Sequence, residues 1–183
     1  VQGADGATTI EFKQAIIAAG SEPVRLPGVP DDPRIIDSTG ALALADIPAR
    51  LLVIGGGIIG LEMATVYMEL GSRVSVVELT PDLIPGADRD LVKPLERRLK
   101  SGLEAIMTGT RVTRVEPGDG GVTVCFEGKG APAEGVYDRV LVAVGRRPNG
   151  ASIGADRAGV AVDPRGFIAV DAQMRTNVPH IFA

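Results

Sequence analysis

LLVIGGGIIGLEMATVYMELGSRVSVVEL, residues Leu51–Leu79, predicts the order strand, turn, helix, strand and decides the fold. Its first part, Leu51–Ile54, is a short apolar run typical of a strand buried on both faces. Gly55, Gly57 and Gly60 follow in G-x-G-x-x-G spacing. A strand before such a series and a helix after it are typical of a dinucleotide-binding fold.

Each of the three glycines has a different predicted task. Gly55 permits the sharp turn out of the strand, and Gly57 lets a pyrophosphate approach the backbone. Gly60 lets the helix lie close to the sheet. The free N–H groups and the positive end of the helix then face the phosphates. The alternative is a glycine-rich turn in an unrelated α/β domain.

The helix after the glycines is predicted from apolar residues at helical spacing. Ile59, Met63, Val66 and Leu70 are expected to share one face, and Gly71 is a natural C-terminal stop. A second β-rich run follows the helix, so the stretch has the composition of a βαβ unit.

A carboxylate stands at the end of the second strand. Glu78 lies 18 residues after Gly60, where a dinucleotide fold places the acid that hydrogen-bonds the adenosine ribose. A carboxylate would repel a 2′-phosphate, and no Lys or Arg occurs from Glu78 to Asp88 to clamp one. The sequence therefore predicts NAD(H) rather than NADP(H). The alternative is a solvated strand-end carboxylate.

Composition narrows the class of protein. The 183 residues are 45% hydrophobic, which suffices for a core, and the net charge of −4 argues against nucleic acid or an anionic membrane as partner. No apolar run approaches the roughly 18–20 residues of a membrane span, and the N-terminal residues given lack the basic-then-apolar pattern of a secretory signal. We expect a cytoplasmic protein. Val1 and Ala183 suggest that both ends are cut from a longer chain.

The regions after Glu78 predict the rest of the sheet. A helix is expected over Asp88–Leu103, with Leu91, Leu95 and Leu99 on one face, and a third parallel strand over Glu104–Met107. These elements complete a βαβαβ unit.

Shorter runs with turns between them follow. Arg111–Glu116 and Val122–Glu127 alternate and predict an antiparallel hairpin or meander. Tyr137–Val144 is expected as another buried strand, and Val160–Val170 as a hairpin.

The single cysteine and the single histidine carry no predicted chemistry. Cys125 has no partner cysteine or nearby histidine, so a small packed residue is favoured over a catalytic thiol. His180 stands beside a strand start, where a structural role is more common than a catalytic one. One cysteine offers neither an internal disulfide nor a metal cluster.

The whole chain resembles the dihydrolipoamide dehydrogenases of the flavoprotein disulfide reductase family. The Gly55–Gly60 stretch is similar to their NAD fingerprint. IIAAGSEP at Ile16–Pro23 and IIDSTGALAL at Ile35–Leu44 are similar to the segments that leave the flavin domain and enter the NAD domain. AVGRRPN at Ala143–Asn149 is similar to the return motif. RGFIAVDAQMRTNVPHIFA at 165–183 resembles the run that, in the family, comes just before a Gly-Asp that holds the flavin; this chain does not contain that Gly-Asp.

The resemblance implies a set of cofactor-binding residues and no catalytic residue or metal ligand in this chain. Val112 would line the adenine side, Gly145 would approach the nicotinamide end, and Glu62 would lie near the nicotinamide and the flavin. A plain first-turn acid suited to the helix dipole is the other interpretation of Glu62. The residues expected to hold NAD are Val53, Ile54, Gly55, Gly56, Gly57, Ile58, Ile59, Gly60 and Glu78; those expected in the FAD site are Ala19, Gly20 and Ser21.

The chain also departs from the family pattern. It has no second G-x-G-x-x-G, no C-x-x-x-x-C pair, and no C-terminal His/Glu dyad. We therefore expect a middle segment: residues 1–44 as a partial FAD-binding strip and linker, 45–148 as the NAD-binding domain, and 149–183 as a truncated return to the FAD domain. The predicted fold is α/β, a Rossmann-like βαβαβ parallel sheet with an antiparallel meander and flanking flavin-domain strands.

The resemblance also implies a function. The parent would be a homodimer that oxidises dihydrolipoyl groups on the lipoyl domains of 2-oxoacid dehydrogenase complexes and passes hydride through FAD to NAD⁺. The chain alone would bind NAD(H) without catalysis. Alternatives are a mercuric reductase, a soluble transhydrogenase, or a non-catalytic nucleotide-sensing module.

Overall fold

The computed structural model describes residues 2–183 and divides them into two compact units. The larger unit is Pro23–Gly145. The smaller combines the residues up to Glu22 with Arg146–Ala183. The division of the chain into flavin-binding and NAD-binding segments stays a prediction.

The elements follow in chain order. The strands are β1 (Gln2–Gly3), β2 (Gly6–Ala7), β3 (Ala15–Ile16), β4 (Ser21–Pro23), β5 (Ile35–Ile36), β6 (Arg50–Ile54), β7 (Arg73–Val77), β8 (Ala105–Met107), β9 (Thr110–Gly118), β10 (Gly121–Gly128), β11 (Glu134–Tyr137), β12 (Arg139–Val142), β13 (Arg146–Pro148) and β14 (Ile181–Phe182). The α-helices are α1 (Ser38–Leu42), α2 (Ile58–Glu69) and α3 (Arg89–Lys100), and short 3₁₀ turns occupy Gly150–Ser152 and Ala155–Ala158.

A five-stranded parallel sheet forms the centre of the larger unit. Its order is β5-β12-β6-β7-β8, and each neighbouring pair is parallel. The expected βαβαβ unit, β6-α2-β7-α3-β8, is confirmed. The chain then returns to add β12 on the other side of β6, where it lies between β6 and β5.

An antiparallel sheet of order β11-β10-β9 covers one face of the parallel sheet. The predicted hairpin is confirmed, and β11 adds a third strand. Side chains of β6 alternate between the two faces, as the period of a strand requires. Leu51 and Val53 pack towards the helices, whereas Leu52 and Ile54 pack towards the antiparallel sheet.

The expected buried face of α2 is wrong. Gly60, Leu61, Ala64 and Tyr67 are buried, whereas Val66 is 38% exposed and Leu70 is 49% exposed. Apolar residues occur all around this helix, so hydrophobic spacing alone selects no face. The buried side has the small residues that let the helix approach the sheet, and the Tyr67 hydroxyl donates to the Ala41 carbonyl at 2.8 Å.

The end of α2 matches the prediction. Gly71 has φ +103, its N–H donates to the Met68 carbonyl, and the Ser72 N–H donates to the Tyr67 carbonyl. These two bonds form a Schellman motif, which commonly places glycine in a left-handed conformation after a helix.

The predicted apolar face of α3 is also partly wrong. Leu91 is 71% exposed, while Val92 and Leu99 are buried and Leu95 packs partly against the core. Residues eight apart, such as Leu91 and Leu99, diverge by about 80° around a helix, whereas residues seven apart nearly coincide. Val92 and Leu99 therefore define the buried side.

The smaller unit is built from short pairings. β3 pairs with β14 in parallel, β13 pairs with β4, and Ala155, Val160 and Ile181 form a small apolar cluster. The hairpin expected over 160–170 is reduced to a single bridge between Val162 and Ile168. Within residues 2–183, no helix is both long and apolar enough to cross a bilayer.

Candidate functional site

A cavity of about 930 Å³ opens at the carboxyl ends of β6, β7 and β12 in the larger unit. The chain leaves β6 towards β7 on one side and later returns to place β12 on the other. Open parallel sheets bind ligands at such a reversal of strand order. Its wall is mainly apolar, and its lining residues are Leu26, Ile54, Gly55, Gly57, Ile58, Ile59, Val77, Glu78, Leu79, Thr80, Ile84, Pro85, Arg111, Val112, Ala143, Val144 and Gly145.

The cavity brings together many of the predicted cofactor-binding residues from distant parts of the chain. The glycine turn, Glu78, Val112 and Gly145 lie up to 90 residues apart in sequence and share one wall. The members that line it are Ile54, Gly55, Gly57, Ile58, Ile59, Glu78, Val112 and Gly145.

Four other predicted residues do not line the cavity. Val53 is buried in the core on the helical side of the sheet. Gly56 and Gly60 are buried beside the turn, and Glu62 is exposed on α2. The first three contribute to the shape of the turn through backbone and packing.

The glycine turn is shaped by backbone that approaches backbone. Gly55 has φ +117, and a Cβ there would collide with the Ala143 carbonyl. A Cβ on Gly60 would collide with the Gly55 carbonyl and lie 3.2 Å from Val53 Cγ1. Both positions therefore require glycine for the protein's own packing.

Gly57 differs from its neighbours. A Cβ at this position would meet no protein atom within 4 Å, and the residue both lines the cavity and forms the N-cap of α2. The first N–H groups of an α-helix have no intrahelical acceptor and carry the positive end of its dipole. The open space at Gly57 thus gives an anion direct access to this helix end.

Glu78 is buried and holds the turn through three hydrogen bonds. It is only 9% exposed. Its Oε2 accepts from the Gly56 N–H at 2.7 Å, and its Oε1 accepts from the Thr80 N–H and the Thr80 hydroxyl, each at 2.8 Å. The alternative of a solvated strand-end carboxylate is therefore wrong. A carboxylate has about four acceptor positions, so one position on Oε2 is left for a ligand.

Sequence reasoning missed part of the cavity wall. Leu26 comes from the proline-rich segment, and Thr80, Ile84 and Pro85 come from the loop after β7. Their composition carries no signal of a site. Arg111 is also on the wall. Arg111 lies 33 residues after Glu78 in sequence, outside the 78–88 segment, and reaches the cavity because β9 packs beside β7.

The residues predicted for a flavin site lie in the smaller unit, where the segment after Gly145 holds them. The Asn149 side-chain amide donates to the Ala19 carbonyl at 3.1 Å, and its N–H donates to the Gly20 carbonyl at 3.0 Å. Arg146 Nε donates to the Ser21 hydroxyl at 2.7 Å. Arg146 and Asn149 thus tie the segment at Ala19–Ser21 to the segment that follows Gly145.

The two other candidate groups remain apart from the cavity. Cys125 is half-buried in β10, with Arg114 Nη2 3.4 Å from its sulfur. His180 is exposed, with its ring 6.2 Å from the Phe12 ring. Among residues 2–183, no group of three or more His, Cys, Asp or Glu side chains is arranged to hold a metal.

Comparisons with known proteins identify the family of the chain. The sequence pattern of the pyridine nucleotide-disulphide oxidoreductase family matches residues 1–183. A dihydrolipoyl dehydrogenase of Vibrio cholerae is 56% identical over 100% of this chain and 39% of its own length. The chain therefore spans about two-fifths of that relative.

Solved structures share the fold. A Cu(II) complex of the HOCl-induced flavoprotein disulfide reductase RclA from Escherichia coli superposes with a TM-score of 0.87 at 31% identity, covering 100% of this chain and 41% of that one. A water-forming NADH oxidase from Lactobacillus brevis bound to NADH gives a TM-score of 0.77 at 27% identity, covering 96% and 39%.

Proposed function

The chain belongs to the pyridine nucleotide-disulphide oxidoreductase family, and on that premise we propose that it is the NAD(H)-binding portion of a dihydrolipoyl dehydrogenase. The observation that carries the proposal is the cavity at the N-terminus of α2, where Gly57 leaves open space against the helix end. The relatives named dihydrolipoyl dehydrogenase favour this branch over a mercuric reductase or a transhydrogenase.

The residues of the cavity fit the parts of a dinucleotide. Its pyrophosphate would lie at Gly57, where backbone N–H groups and the helix dipole stabilise negative charge. The remaining acceptor position of Glu78 would receive a ribose hydroxyl, and Val112 would pack against the adenine. The nicotinamide would lie towards Gly145, which has φ +137 and open space where a Cβ would stand.

The preference for NAD(H) over NADP(H) rests on Glu78. A ribose diol can donate a hydrogen bond to this carboxylate, worth about 1.5–3 kcal/mol for a charged acceptor. A 2′-phosphate cannot donate in its ionised form and would face a buried negative charge. The cavity therefore favours the unphosphorylated ribose.

In the whole protein, we propose, FAD accepts electrons from a dihydrolipoyl group and delivers hydride to NAD⁺. Residues 1–44 and 149–183 would belong to the flavin domain and 45–148 to the NAD domain, with Ala19, Gly20 and Ser21 beside the flavin. Gly20 has φ +70 and open space at its Cβ position, which suits close approach of a flat ligand. Glu62 would lie near the nicotinamide and the flavin.

The setting of the whole protein belongs to the same proposal. We propose a cytoplasmic homodimer that acts on lipoyl domains of 2-oxoacid dehydrogenase complexes. The chain alone has no pair of cysteines for thiol–disulfide chemistry, so it would bind NAD(H) without turnover.

A direct test compares binding with catalysis in the 183-residue chain. NADH is expected to bind, and NADH formation from dihydrolipoamide and NAD⁺ is expected to be absent. Dihydrolipoamide-dependent NADH formation by the purified chain would contradict the proposed division of labour.

A further inference from the structure

Arg111 is the one basic residue among the described residues that line the cavity, and Glu78 is the one acidic residue. Arg111 is the second residue of strand β9, between Thr110 and Val112. The residues that line the cavity therefore include an arginine that the glycine fingerprint does not explain.

Arg111 has no partner of its own in the described part of the chain. Two arginines of the larger unit show the contrast: Arg34 pairs with Asp32 at 2.8 Å, and Arg89 pairs with Asp82 at 3.1 Å. The Arg111 side chain is exposed, and among residues 2–183 it donates no hydrogen bond and forms no ion pair. Its guanidinium keeps its donor capacity for a ligand.

The backbone places Arg111 at the end of the cavity that holds Glu78. The Thr110 N–H donates to the Glu78 carbonyl at 3.0 Å, and the Gly109 N–H donates to the Thr80 carbonyl at 2.8 Å. Arg111 thus follows directly after a residue bonded to Glu78. If Glu78 receives the adenosine ribose, Arg111 stands beside the same sugar.

The Glu78 carboxylate does not neutralise Arg111. Three of its acceptor positions are taken by Gly56 and Thr80, and no salt bridge joins it to Arg111 among the described residues. The end of the cavity expected to hold the adenosine therefore has two charged residues. The Arg111 guanidinium has no ion-pair partner among the described residues, and the charge of the Glu78 carboxylate is already shared among three hydrogen bonds.

We propose that Arg111 is a binding residue for a 2′-phosphate on the adenosine ribose, so that the cavity admits NADP(H), more weakly than NAD(H). The inference rests on the proposed dinucleotide function and adds a specificity determinant to it. A planar guanidinium presents donors that match phosphate oxygens. Glu78 sets the preference for the plain ribose, and Arg111 limits how strict that preference is.

The test uses two adenosine ligands that differ only in the phosphate concerned. Calorimetric titration of the 183-residue chain with AMP and with adenosine 2′,5′-bisphosphate is compared between the unsubstituted chain and Arg111→Gln. We expect Arg111→Gln to weaken the bisphosphate about fivefold or more, and AMP by less than about twofold.

A matched control separates the loss of a direct contact with the phosphate from the change in the net charge of the chain. Arg97→Gln removes the same charge from the exposed surface of α3, away from the cavity wall, and is expected to change both affinities by less than about twofold. An equal loss for both ligands in Arg111→Gln, or no binding of the bisphosphate to the unsubstituted chain, would overturn the inference alone. Binding of neither ligand would overturn the proposed function and the inference with it.

Discussion

The Glu78 carboxylate accepts a hydrogen bond from the backbone N–H of Gly56, with Oε2 2.7 Å from the nitrogen. This bond joins the end of β7 to the turn that follows β6, across 22 residues of sequence. The acid expected to recognise a ribose therefore also fixes the glycine turn. Buried and charge-assisted, the bond presents the turn in one conformation before any ligand arrives.

Replacement of Glu78 is expected to cost stability as well as binding. Glu78→Gln keeps the size of the side chain but leaves one oxygen to accept from three donors, and its NH₂ group cannot accept at all. We expect the free energy of unfolding to fall by about 1–3 kcal/mol, which urea denaturation measures. The NADH affinity should fall in the same variant.

The matched control for this variant is Glu62→Gln. Glu62 carries the same side chain but is exposed on α2, so its unfolding free energy should change by less than about 0.5 kcal/mol. Equal stability of Glu78→Gln and the unsubstituted chain would show that the bonds to Gly56 and Thr80 contribute nothing to the fold.

Substitutions at Gly57 and Gly60 are expected to have different effects: the first lowers NADH affinity, and the second lowers the stability of the fold. Gly57→Ala places its methyl group in open cavity space, so stability should change by less than about 1 kcal/mol, while NADH affinity falls because the methyl group keeps the pyrophosphate from the helix end. Gly60→Ala would press a methyl group onto the Gly55 carbonyl and should cost about 1–3 kcal/mol or more.

Thermal unfolding measures the stability of the two glycine variants, and calorimetric titration measures their NADH affinity. Full NADH affinity in a folded Gly57→Ala chain would argue against a ligand at this helix end. A Gly60→Ala chain as stable as the unsubstituted one would argue against the observed closeness of helix and turn.

Asp32 makes part of the stability dependent on pH. Hydrogen bonds from the Arg34 side chain and then from the Arg34 N–H lower the pKa of Asp32 to about 2, below the value of about 3.9 in an unfolded chain. The folded state therefore favours the ionised form. Its contribution is complete above about pH 4 and is lost as the pH falls through about 2.

The measurement for this pair is the difference in Tm between the unsubstituted chain and Asp32→Asn. The difference should be present at pH 6 and should shrink towards pH 2, because the neutral acid resembles the amide. In an Arg34→Gln background, the same substitution should have no pH-dependent effect. A difference that stays constant from pH 6 to pH 2 would contradict the assigned pairing.

Local sequence patterns were sufficient to predict the strands, turns and helices, but not to predict which face of each helix is buried. The strand at Leu51–Ile54, the glycine turn and the Gly71 stop follow from short-range chemistry that the sequence displays. The buried side of α2 does not, because Val66 and Leu70 are as apolar as the residues that pack. The sheet, through close approach at Gly60, decides which side is covered.

The candidate site shows the same limit. The positions of Glu78 and Gly145 could be predicted, since family-like motifs carry them. The bonds that engage Glu78 depend on the loop at Thr80, and the presence of Arg111 depends on where β9 returns to β7. No local sequence pattern predicts contacts of this kind between distant parts of the chain.

The central claim is tested most directly by calorimetric titration of the 183-residue chain with NADH and, separately, with NADPH. We expect NADH to bind with a preference of about tenfold or more, equivalent to about 1.4 kcal/mol. Equal affinity for the two would contradict the role of Glu78 at the ribose, and binding of neither would contradict the assignment of the cavity as a dinucleotide site.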